Sequence, residues 1–279
     1  MMNGAVWAPL QALSGRRGPK DLNPWVESAR EASYPPPYPE GWYVVGRSTD
    51  IRERPTFVQC VVGQANGERP DPRHRTRSWA VEELHGWVLV YHRLGASVDG
   101  PAPEPPYRLQ RVPEIEDGDL VWGGEHDAGL VQMHLLEFLE NSADFQHFAR
   151  IHERLRVPWT EIPVPGMTLH HEATWRRDEN EKHVCWFGND ANLEFRGKAI
   201  KGSGAHADVR IEGPGSFIRF DFTLTRGRGR VVLYQSHTPI SPMTQRVRFR
   251  WFSGRNVPKP LASFIVGNWV SQWRQDIGI

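Results

Sequence analysis

The stretch SFIRFDFTLT, residues 216–225, shows most clearly which fold this chain adopts. Apolar side chains at every second position from Ile218 to Leu224 alternate with polar ones from Arg219 to Thr223. A period of two residues is typical of a β-strand that has one buried and one solvated face. We therefore predict a strand here with one face in the core and the other in water.

The same alternation returns downstream in RVRFRWF, residues 246–252. The glycine-rich RGRGR at 226–230 predicts a hairpin turn, and residues 168–252 as a whole indicate a series of strands. A helix is predicted after Pro258 and Pro260. Strands that follow one another directly favour antiparallel pairing, so we predict an α+β fold, an antiparallel β-sheet with flanking helices.

A smaller group of strands is predicted near the N-terminus. Residues 42–60 predict two strands around a polar turn, and residues 78–93 predict a hairpin with Gly86 at or near its turn. The Pro-rich PAPEPP, residues 101–106, separates this group from the rest. The predicted organisation is a flexible Pro-rich leader at 1–37, a small β unit at 38–100 and the main domain at 107–279.

Composition excludes several classes of protein. The chain has 279 residues, 34 Lys+Arg against 33 Asp+Glu and a net charge of +1, which argues against a nucleic-acid partner. No stretch is apolar for long enough to span a membrane. The two cysteines suit a reducing compartment. We expect an intracellular protein, cytoplasmic or peripheral to a membrane, whose leader is either a frayed terminus or an organellar transit peptide.

The informative cluster is ENSADFQHFARIH, residues 140–152. We predict a helix over 138–154, on which Asp144 and His147 share a face. His147 and His152 are five residues apart, about 140° on a regular helix, so they converge on one metal ion only at a π-type bulge or a helix end. The alternative is a surface helix with solvated His and Asp side chains.

A third ligand candidate lies in the final helix. Asp276 continues an apolar stripe that runs from Ala262 to Trp273, and a carboxylate on such a face is costly unless it is paired or bound to metal. Two imidazoles and one carboxylate form the facial triad of mononuclear iron oxygenases. The alternative is a helix-end aspartate that reaches solvent.

These residues carry a resemblance to a known family. The pattern Asp-x2-His-x4-His in residues 144–152 resembles the iron-binding signature of Rieske-type non-haem iron oxygenases. Residues 39–51, 77–92 and 238–279 resemble, in that order, segments of the branch that contains the cholesterol 7-desaturases (Neverland-type) and 3-ketosteroid 9α-hydroxylases. The resemblance covers most of residues 38–279 and implies a helix-grip-like catalytic domain behind a remnant of a small β Rieske domain.

The resemblance implies a role for each site residue. His147, His152 and Asp276 are expected to hold a mononuclear Fe(II), with dioxygen as co-substrate. Asp144 is expected to be the bridging carboxylate that is hydrogen-bonded to a ligand histidine on the electron route. Asn141 is expected to line the same site.

The sequence departs from the family in the cluster-binding segment. A Rieske [2Fe–2S] centre needs two Cys and two His, normally as C-x-H and C-x2-H. Cys60 and Cys185 stand in neither motif, and residues 61–76 occupy the place of the cluster segment. We expect no [2Fe–2S] cluster in this chain, and electrons derived from NAD(P)H that reach it from an external reductase or a Rieske-bearing subunit.

The second departure is at the end of the chain. The resemblance implies a tail after the carboxylate ligand, whereas Ile279 follows Asp276 by three residues. A ligand on a fraying last turn is poorly held, so we expect low iron affinity unless a partner supports the helix. A splice form, an incomplete gene model and a subunit served by another chain all remain open.

Two functions remain open at this point. The first is an iron oxygenase subunit or remnant that hydroxylates or desaturates a hydrophobic, sterol- or steroid-like substrate, in a homo- or hetero-trimer. The second is a catalytically inactive binder of sterols or other hydrophobic ligands, derived from the same family. A third, weaker interpretation is a chain that does not fold stably alone because the hairpins at 42–92 expose apolar strands.

Overall fold

The computed structural model describes residues 34–35, 38–51, 78–94, 101–102, 104–224 and 229–277. The folded unit discussed below extends from Pro36 to Ile279. Most of the predicted leader at 1–37, the second of the two strands predicted within 42–60, the segment 61–76 and residues 226–228 of the predicted RGRGR turn lie outside the described residues.

The described residues form twelve strands and five α-helices, with a 3-10 turn at Phe145–His147. The strands are β1 (Gly41–Arg47), β2 (Ala80–Leu84), β3 (Trp87–His92), β4 (Leu120–Val131), β5 (Arg154–Arg156), β6 (Pro163–Arg177), β7 (Val184–Phe195), β8 (Lys198–Ala199), β9 (Ala205–Glu212), β10 (Phe217–Leu224), β11 (Gly229–Ser241) and β12 (Thr244–Gly254). The helices are α1 (Ser48–Ile51), α2 (Pro113–Glu116), α3 (Leu135–Ala143), α4 (Phe148–Ile151) and α5 (Lys259–Asp276).

The strands form two sheets, and every strand pair is antiparallel. The large sheet has nine strands in the order β4-β12-β11-β10-β9-β7-β6-β5, with β8 paired to β7. The small sheet has the order β1-β3-β2. Its predicted hairpin at 78–93 is present, and both His85 (φ 47°) and Gly86 (φ 85°) have the positive φ that a two-residue type I′ turn requires. The predicted α+β fold is thus confirmed.

One face of the large sheet packs against helices. Ile218 and Phe220 of β10 and Phe249 of β12 are buried there with Val266 and Trp273 of α5. The predicted stripe of α5 faces this core, and the predicted start of the helix near Pro258 is confirmed because Pro258 occupies its N-cap. This face also carries α3 and α4, so the core lies between the sheet and all three helices.

The opposite face is covered as well, which contradicts the prediction of a solvated side. Arg219 and Asp221 of β10 are buried, and they are hydrogen-bonded to each other and, through Arg219, to Gln110 of the connecting segment. Beside them the small sheet inserts Trp42 and Trp87 into a second core. An alternating pattern shows which residues share a face but not whether a later element covers the polar one.

The second core joins the two sheets. Trp87 stacks edge-to-face on Phe217 and Tyr234 of the large sheet, and Ser216 Oγ donates a hydrogen bond to the Trp42 carbonyl (2.6 Å). The large apolar side chains of the small sheet, such as Trp42, Leu84 and Leu89, are therefore buried, whereas Val81 of β2 is 56% exposed. The predicted domain division between 100 and 107 stays a prediction.

The predicted helix over 138–154 is wrong in its bounds and in its continuity. Helix α3 begins at Leu135 and ends at Ala143, the 3-10 turn and α4 follow, and the chain enters β5 at Arg154. Asp144 interrupts the helix with ψ 74°. No helix among the described residues is long and apolar enough to cross a membrane.

Candidate metal centre

The site lies where the helical segment breaks above the large sheet. Helix α3 begins at a cap in which the His134 backbone N–H donates to Glu137 Oε2 (3.0 Å) and His134 Nδ1 accepts from Leu136 N–H (3.2 Å). It ends near Ser142, whose Oγ donates to the Phe138 carbonyl (2.8 Å) and so competes with the helical ladder. The break at Asp144 then turns the chain back toward α5.

His147 is oriented by the break itself. Its Nδ1 contacts the backbone carbonyl oxygen of Asp144, an acceptor, so in the neutral imidazole Nδ1 carries the hydrogen. The lone pair is then on Nε2, which is buried without a hydrogen-bond partner among the described residues. A tautomer fixed in this way is the usual preparation of a metal-binding histidine.

His152 and Asp276 complete the cluster. His152 is the C-cap of α4, where its φ of −101° and ψ of 7° depart from the helix. Its Nε2 lies 3.0 Å from Asp276 Oδ1, and His147 Nε2 lies 4.0 Å from the same oxygen. One donor atom from each residue lies within 4.8 Å of the other two. The helix end, rather than a π-bulge, brings the two histidines together.

The donor set fits a divalent transition metal. All three side chains are largely buried, and within the described part of the chain His147 Nε2 has no hydrogen-bond partner. Within that part Asp276 Oδ1 makes no hydrogen bond of acceptable geometry, although His152 Nε2 lies 3.0 Å away. Buried polar atoms without partners are costly, and an ion bound between the three side chains satisfies both of these atoms. Two imidazoles and one carboxylate suit Fe(II) with open coordination positions.

A second histidine supports His152 from the sheet. His171 of β6 has Nε2 3.4 Å from the His152 carbonyl oxygen, and Asn189 Nδ2 donates to His171 Nδ1 (3.1 Å). Burial lowers the pKa of His171 to about 4, so this imidazole is neutral at pH 7. The sequence pairs His170 with His171 on opposite faces, and in the structure only His171 faces the site while His170 is exposed.

A mainly apolar cavity opens next to the cluster. It contains about 350 Å³ of space between atoms, including space open to solvent, of which about 20 Å³ admits the centre of a water molecule. That smaller volume holds roughly one water. The walls come from α3, the 3-10 turn, α4, α5 and the sheet: Phe138, Asn141, Ser142, His147, Phe148, Phe187, Val209, Ile211, Phe220, Trp269 and Asp276.

The structure places the two remaining predicted site residues differently from each other. Asn141 lines the cavity, as the resemblance implies. Asp144 touches His147 through its backbone carbonyl, whereas its side chain is exposed. The expected hydrogen bond, in which a ligand histidine donates to the Asp144 carboxylate, is therefore not the contact seen between Asp144 and His147.

Sequence reasoning missed a buried polar network behind the cavity. Trp269 Nε1 donates to Gln235 Oε1 (3.2 Å), Gln235 Nε2 donates to His237 Nε2 (2.7 Å), and His237 Nδ1 donates to Gln245 Oε1 (2.7 Å). His237 is fully buried and stacks on Phe138, another cavity wall. The signal was the polar run Gln-Ser-His that directly follows the apolar residues 231–234 in strand β11.

The last turn of α5 is held by contacts from outside the helix. Arg156 Nη2 donates to Gln275 Oε1 (2.8 Å), and Arg274 Nη1 donates to the Trp159 carbonyl (2.9 Å). Asp276 follows these two helix residues directly. Both side chains of the last turn are thus bonded outside the helix, and the expected fraying and low iron affinity stay predictions.

Comparison with known proteins gives one family match. The family model described as the 3-ketosteroid 9α-hydroxylase C-terminal domain matches residues 99–279, which include all three residues of the cluster. That match covers more than half of the chain.

Individual relatives agree with this match. The chain is 27% identical over 221 residues to a cholesterol 7-desaturase of Hemicentrotus pulcherrimus, covering 77% of this chain and 45% of that protein. It is also 27% identical over 235 residues to the cholesterol 7-desaturase of Caenorhabditis elegans, covering 79% and 51% respectively. The chain thus spans about half the length of the curated relatives it matches.

Among solved structures, dicamba monooxygenase bound to dicamba is similar at 15% identity with a TM-score of 0.47. The match covers 79% of this chain and 63% of that one.

Proposed function

The chain belongs to the 3-ketosteroid 9α-hydroxylase C-terminal domain family of Rieske-type oxygenases, and from this premise we propose that it is an oxygenase catalytic subunit for a hydrophobic, sterol- or steroid-like substrate. The observation that carries the proposal is the cluster of His147, His152 and Asp276, whose donor atoms lie within 4.8 Å of one another beside a mainly apolar cavity.

His147, His152 and Asp276 would hold Fe(II), and the bound ion would supply dioxygen activation for hydroxylation or desaturation of an unactivated C–H bond. The protein's own residues hold the metal-binding side chains in place and orient them. The Asp144 carbonyl fixes the tautomer of His147, so that only Nε2 offers a lone pair. His171 supports the backbone of His152 from β6. Asp276 contributes the charge that a purely imidazole site lacks.

The cavity supports a hydrophobic substrate. Aromatic and aliphatic side chains from the sheet face the cluster, and Asn141 is one of the few polar groups among them. The relatives named cholesterol 7-desaturase point to a sterol. The enclosed part of the cavity holds roughly one water, so a tetracyclic molecule would enter only if α3 and α5 separated or their side chains rotated.

The proposal places the electron source outside residues 1–279. The chain has only Cys60 and Cys185, and neither belongs to a Cys-x-His or Cys-x2-His motif. An external reductase or a Rieske-bearing subunit, in a homo- or hetero-trimer, then delivers electrons derived from NAD(P)H. The exposed Asp144 side chain, close in sequence to His147, is proposed as the contact on that route.

The direct test is metal content after anaerobic purification and reconstitution with Fe(II). We expect about one iron per chain in the wild type, with no iron–sulfur absorption in the visible spectrum. His147→Ala and Asp276→Ala should each lose the bound iron and any turnover with a supplied electron donor. His170→Ala is the matched control because this imidazole is exposed and is expected to leave the iron content unchanged.

A wild type without iron, or triad variants that keep it, would contradict the assignment of these ligands. The apolar cavity also supports a second function, that of a hydrophobic-ligand binder without redox chemistry. It predicts that a radiolabelled sterol binds equally well to the metal-free wild type and to His147→Ala.

A further inference from the structure

The segment from the last residue of β5 to the start of β6 contacts the helix that carries Asp276 at several points. We call residues 156–162 the strap. Arg156, at its start, donates through Nη1 to the Glu161 carbonyl, which closes the segment on itself. The Val157 N–H donates to the Ile162 carbonyl (2.9 Å). The strap is therefore a compact loop whose shape does not depend on α5 alone.

Trp159 holds the middle of α5. Its backbone N–H donates to the Gly267 carbonyl (3.1 Å), and its Nε1 donates to Ser263 Oγ (3.3 Å). These bonds are made with a φ of 68°, a conformation that a bulky residue rarely adopts. Such strain persists only where the surroundings impose it, and it is concentrated at functional sites.

The strap also holds the end of α5. Its Trp159 carbonyl accepts from Arg274 Nη1 (2.9 Å), and Arg156 Nη2 donates to Gln275 Oε1 (2.8 Å). These two helix residues directly precede Asp276. The last turn of a helix lacks part of its own hydrogen-bond ladder, so contacts from outside determine how far its final residues move.

The strap is covalently close to another member of the cluster. His152 precedes Arg156 by four residues, and β5 is the only element between them. The short segment that begins at His152 therefore supplies one histidine of the cluster and, through the strap, contacts the helix that carries Asp276.

We propose that the strap is a positioning device for the metal centre. It sets the separation between Asp276 and the histidines, and the Arg156–Gln275 bond is the contact through which it acts. The inference rests on the proposed function, since it assumes that these residues bind a metal. Groups that orient metal ligands typically change metal affinity about 10–100-fold when they are lost.

The test is a Co(II) titration of the full chain, followed by its visible ligand-field absorption. Arg156→Met keeps most of the alkyl length and removes the donor, and Gln275→Leu removes the acceptor. We expect each variant to bind Co(II) at least about 10-fold more weakly than the wild type, with an altered absorption band. The double variant should bind no more weakly than Arg156→Met alone, because Gln275→Leu removes a bond that this variant has already lost.

Arg154→Met is the matched control, because Arg154 lies on the same strand but is exposed. It should bind Co(II) like the wild type. Thermal unfolding of the metal-free proteins tests for general damage, and similar midpoints for Arg156→Met and Arg154→Met are expected. If Arg156→Met is misfolded, the Co(II) affinity of Gln275→Leu alone tests the inference.

Two other outcomes overturn the inference in distinguishable ways. Wild-type affinity in Arg156→Met and Gln275→Leu would show that the strap does not position the ligands, while the metal centre itself stands. Absence of Co(II) binding in the wild type would remove the metal centre and with it the proposed function.

Discussion

His237 is the most completely buried titratable group near the cavity. Burial lowers its pKa to about 4, although the hydrogen bond to Gln245 opposes the shift. The unfolded chain, in which a histidine titrates near pH 6.5, therefore binds more protons than the folded chain between about pH 6.5 and pH 4. Stability that is present above this window is lost as the pH falls through it.

We predict that His237→Gln removes this part of the acid sensitivity. Glutamine is neutral throughout, so the free energy of unfolding of the variant should fall less steeply below pH 6.5. The slopes of unfolding free energy against pH should differ between the two proteins by up to about 1.4 kcal/mol per pH unit, the value for uptake of one proton on unfolding. Urea unfolding of both proteins at pH 7, 6 and 5 measures it, and parallel curves would contradict the prediction.

His206→Gln is the control with the opposite sign. Its hydrogen bond with Asp190 is the main cause that raises the pKa of His206, and Asp208 adds to it. A raised pKa gives stability that is present at low pH and is lost as the pH rises through it. Removal of His206 should therefore lower stability more at pH 5 than at pH 7.

Single residues of the candidate site could be proposed from the sequence, but their surroundings could not. The spacing of His147 and His152 indicated that a helix end was one way to bring them together, and the structure has such an end. The tautomer of His147 depends on a backbone carbonyl, which no side-chain pattern reveals. The assignment of the three residues to iron stays a prediction.

Helix α5 and the strap meet at a position where only glycine fits. A Cβ atom on Gly267 would lie 2.5 Å from Trp159 Nε1 and 2.8 Å from the Pro158 Cβ atom. In a helix interior alanine is otherwise favoured over glycine by about 1 kcal/mol. Packing and helix propensity therefore oppose each other at this residue.

We predict that the effect of Gly267→Ala on the free energy of unfolding depends on whether Trp159 is present. In the wild type it should lower the free energy of unfolding, because Trp159 is forced off the helix. In Trp159→Ala it should cost much less or stabilise by up to about 1 kcal/mol, because most of the clash is gone. Chemical denaturation of the four proteins gives both values, and equal effects in the two backgrounds would refute the contact.

At the scale of elements, strands were easier to predict than the helical segment. The alternation around Ile218 and the turn at Gly86 located strands and a hairpin that the structure contains. The single helix predicted over 138–154 was wrong because its apolar spacing continues across Asp144, where the backbone leaves the helix. Local side-chain pattern does not record a change in ψ at one residue.

The whole molecule depends on the junction of its two sheets. Trp87 and Trp122 both stack on the Arg250 guanidinium, at 4.7 Å and 5.3 Å from their ring centres. Trp87 is 1% exposed in the second core, whereas Trp122 is 53% exposed. The two residues therefore share one contact and differ in burial.

We predict that Trp87→Ala lowers the free energy of unfolding by about 3–5 kcal/mol, as expected for loss of a large buried side chain. Trp122→Ala should cost about 1 kcal/mol or less. Urea unfolding measures both. Similar losses in the two variants would mean that the cation–π contact, and not burial between the sheets, holds the junction.

Neither the burial of the polar face nor this junction could be predicted from the sequence. In the sequence, Arg219 and Arg250 look like solvated positions on amphipathic strands. They are buried because the small sheet and its connecting segment pack over them. Contacts between residues more than 100 positions apart, such as Arg219 with Gln110, leave no periodic trace.

The paired arginines also discriminate between alternative strand alignments. Arg210 and Arg219 lie opposite each other on β9 and β10, and each bonds a carboxylate two residues further along its own strand, Glu212 or Asp221. A shift of β10 by one residue against β9 would turn the Arg219–Asp221 pair toward the apolar layer beneath the helices. The same shift would bring Phe220 out of that layer. A misaligned β10 is therefore disfavoured both by its buried charges and by its displaced aromatic ring, so these ion pairs help to specify the register of the sheet.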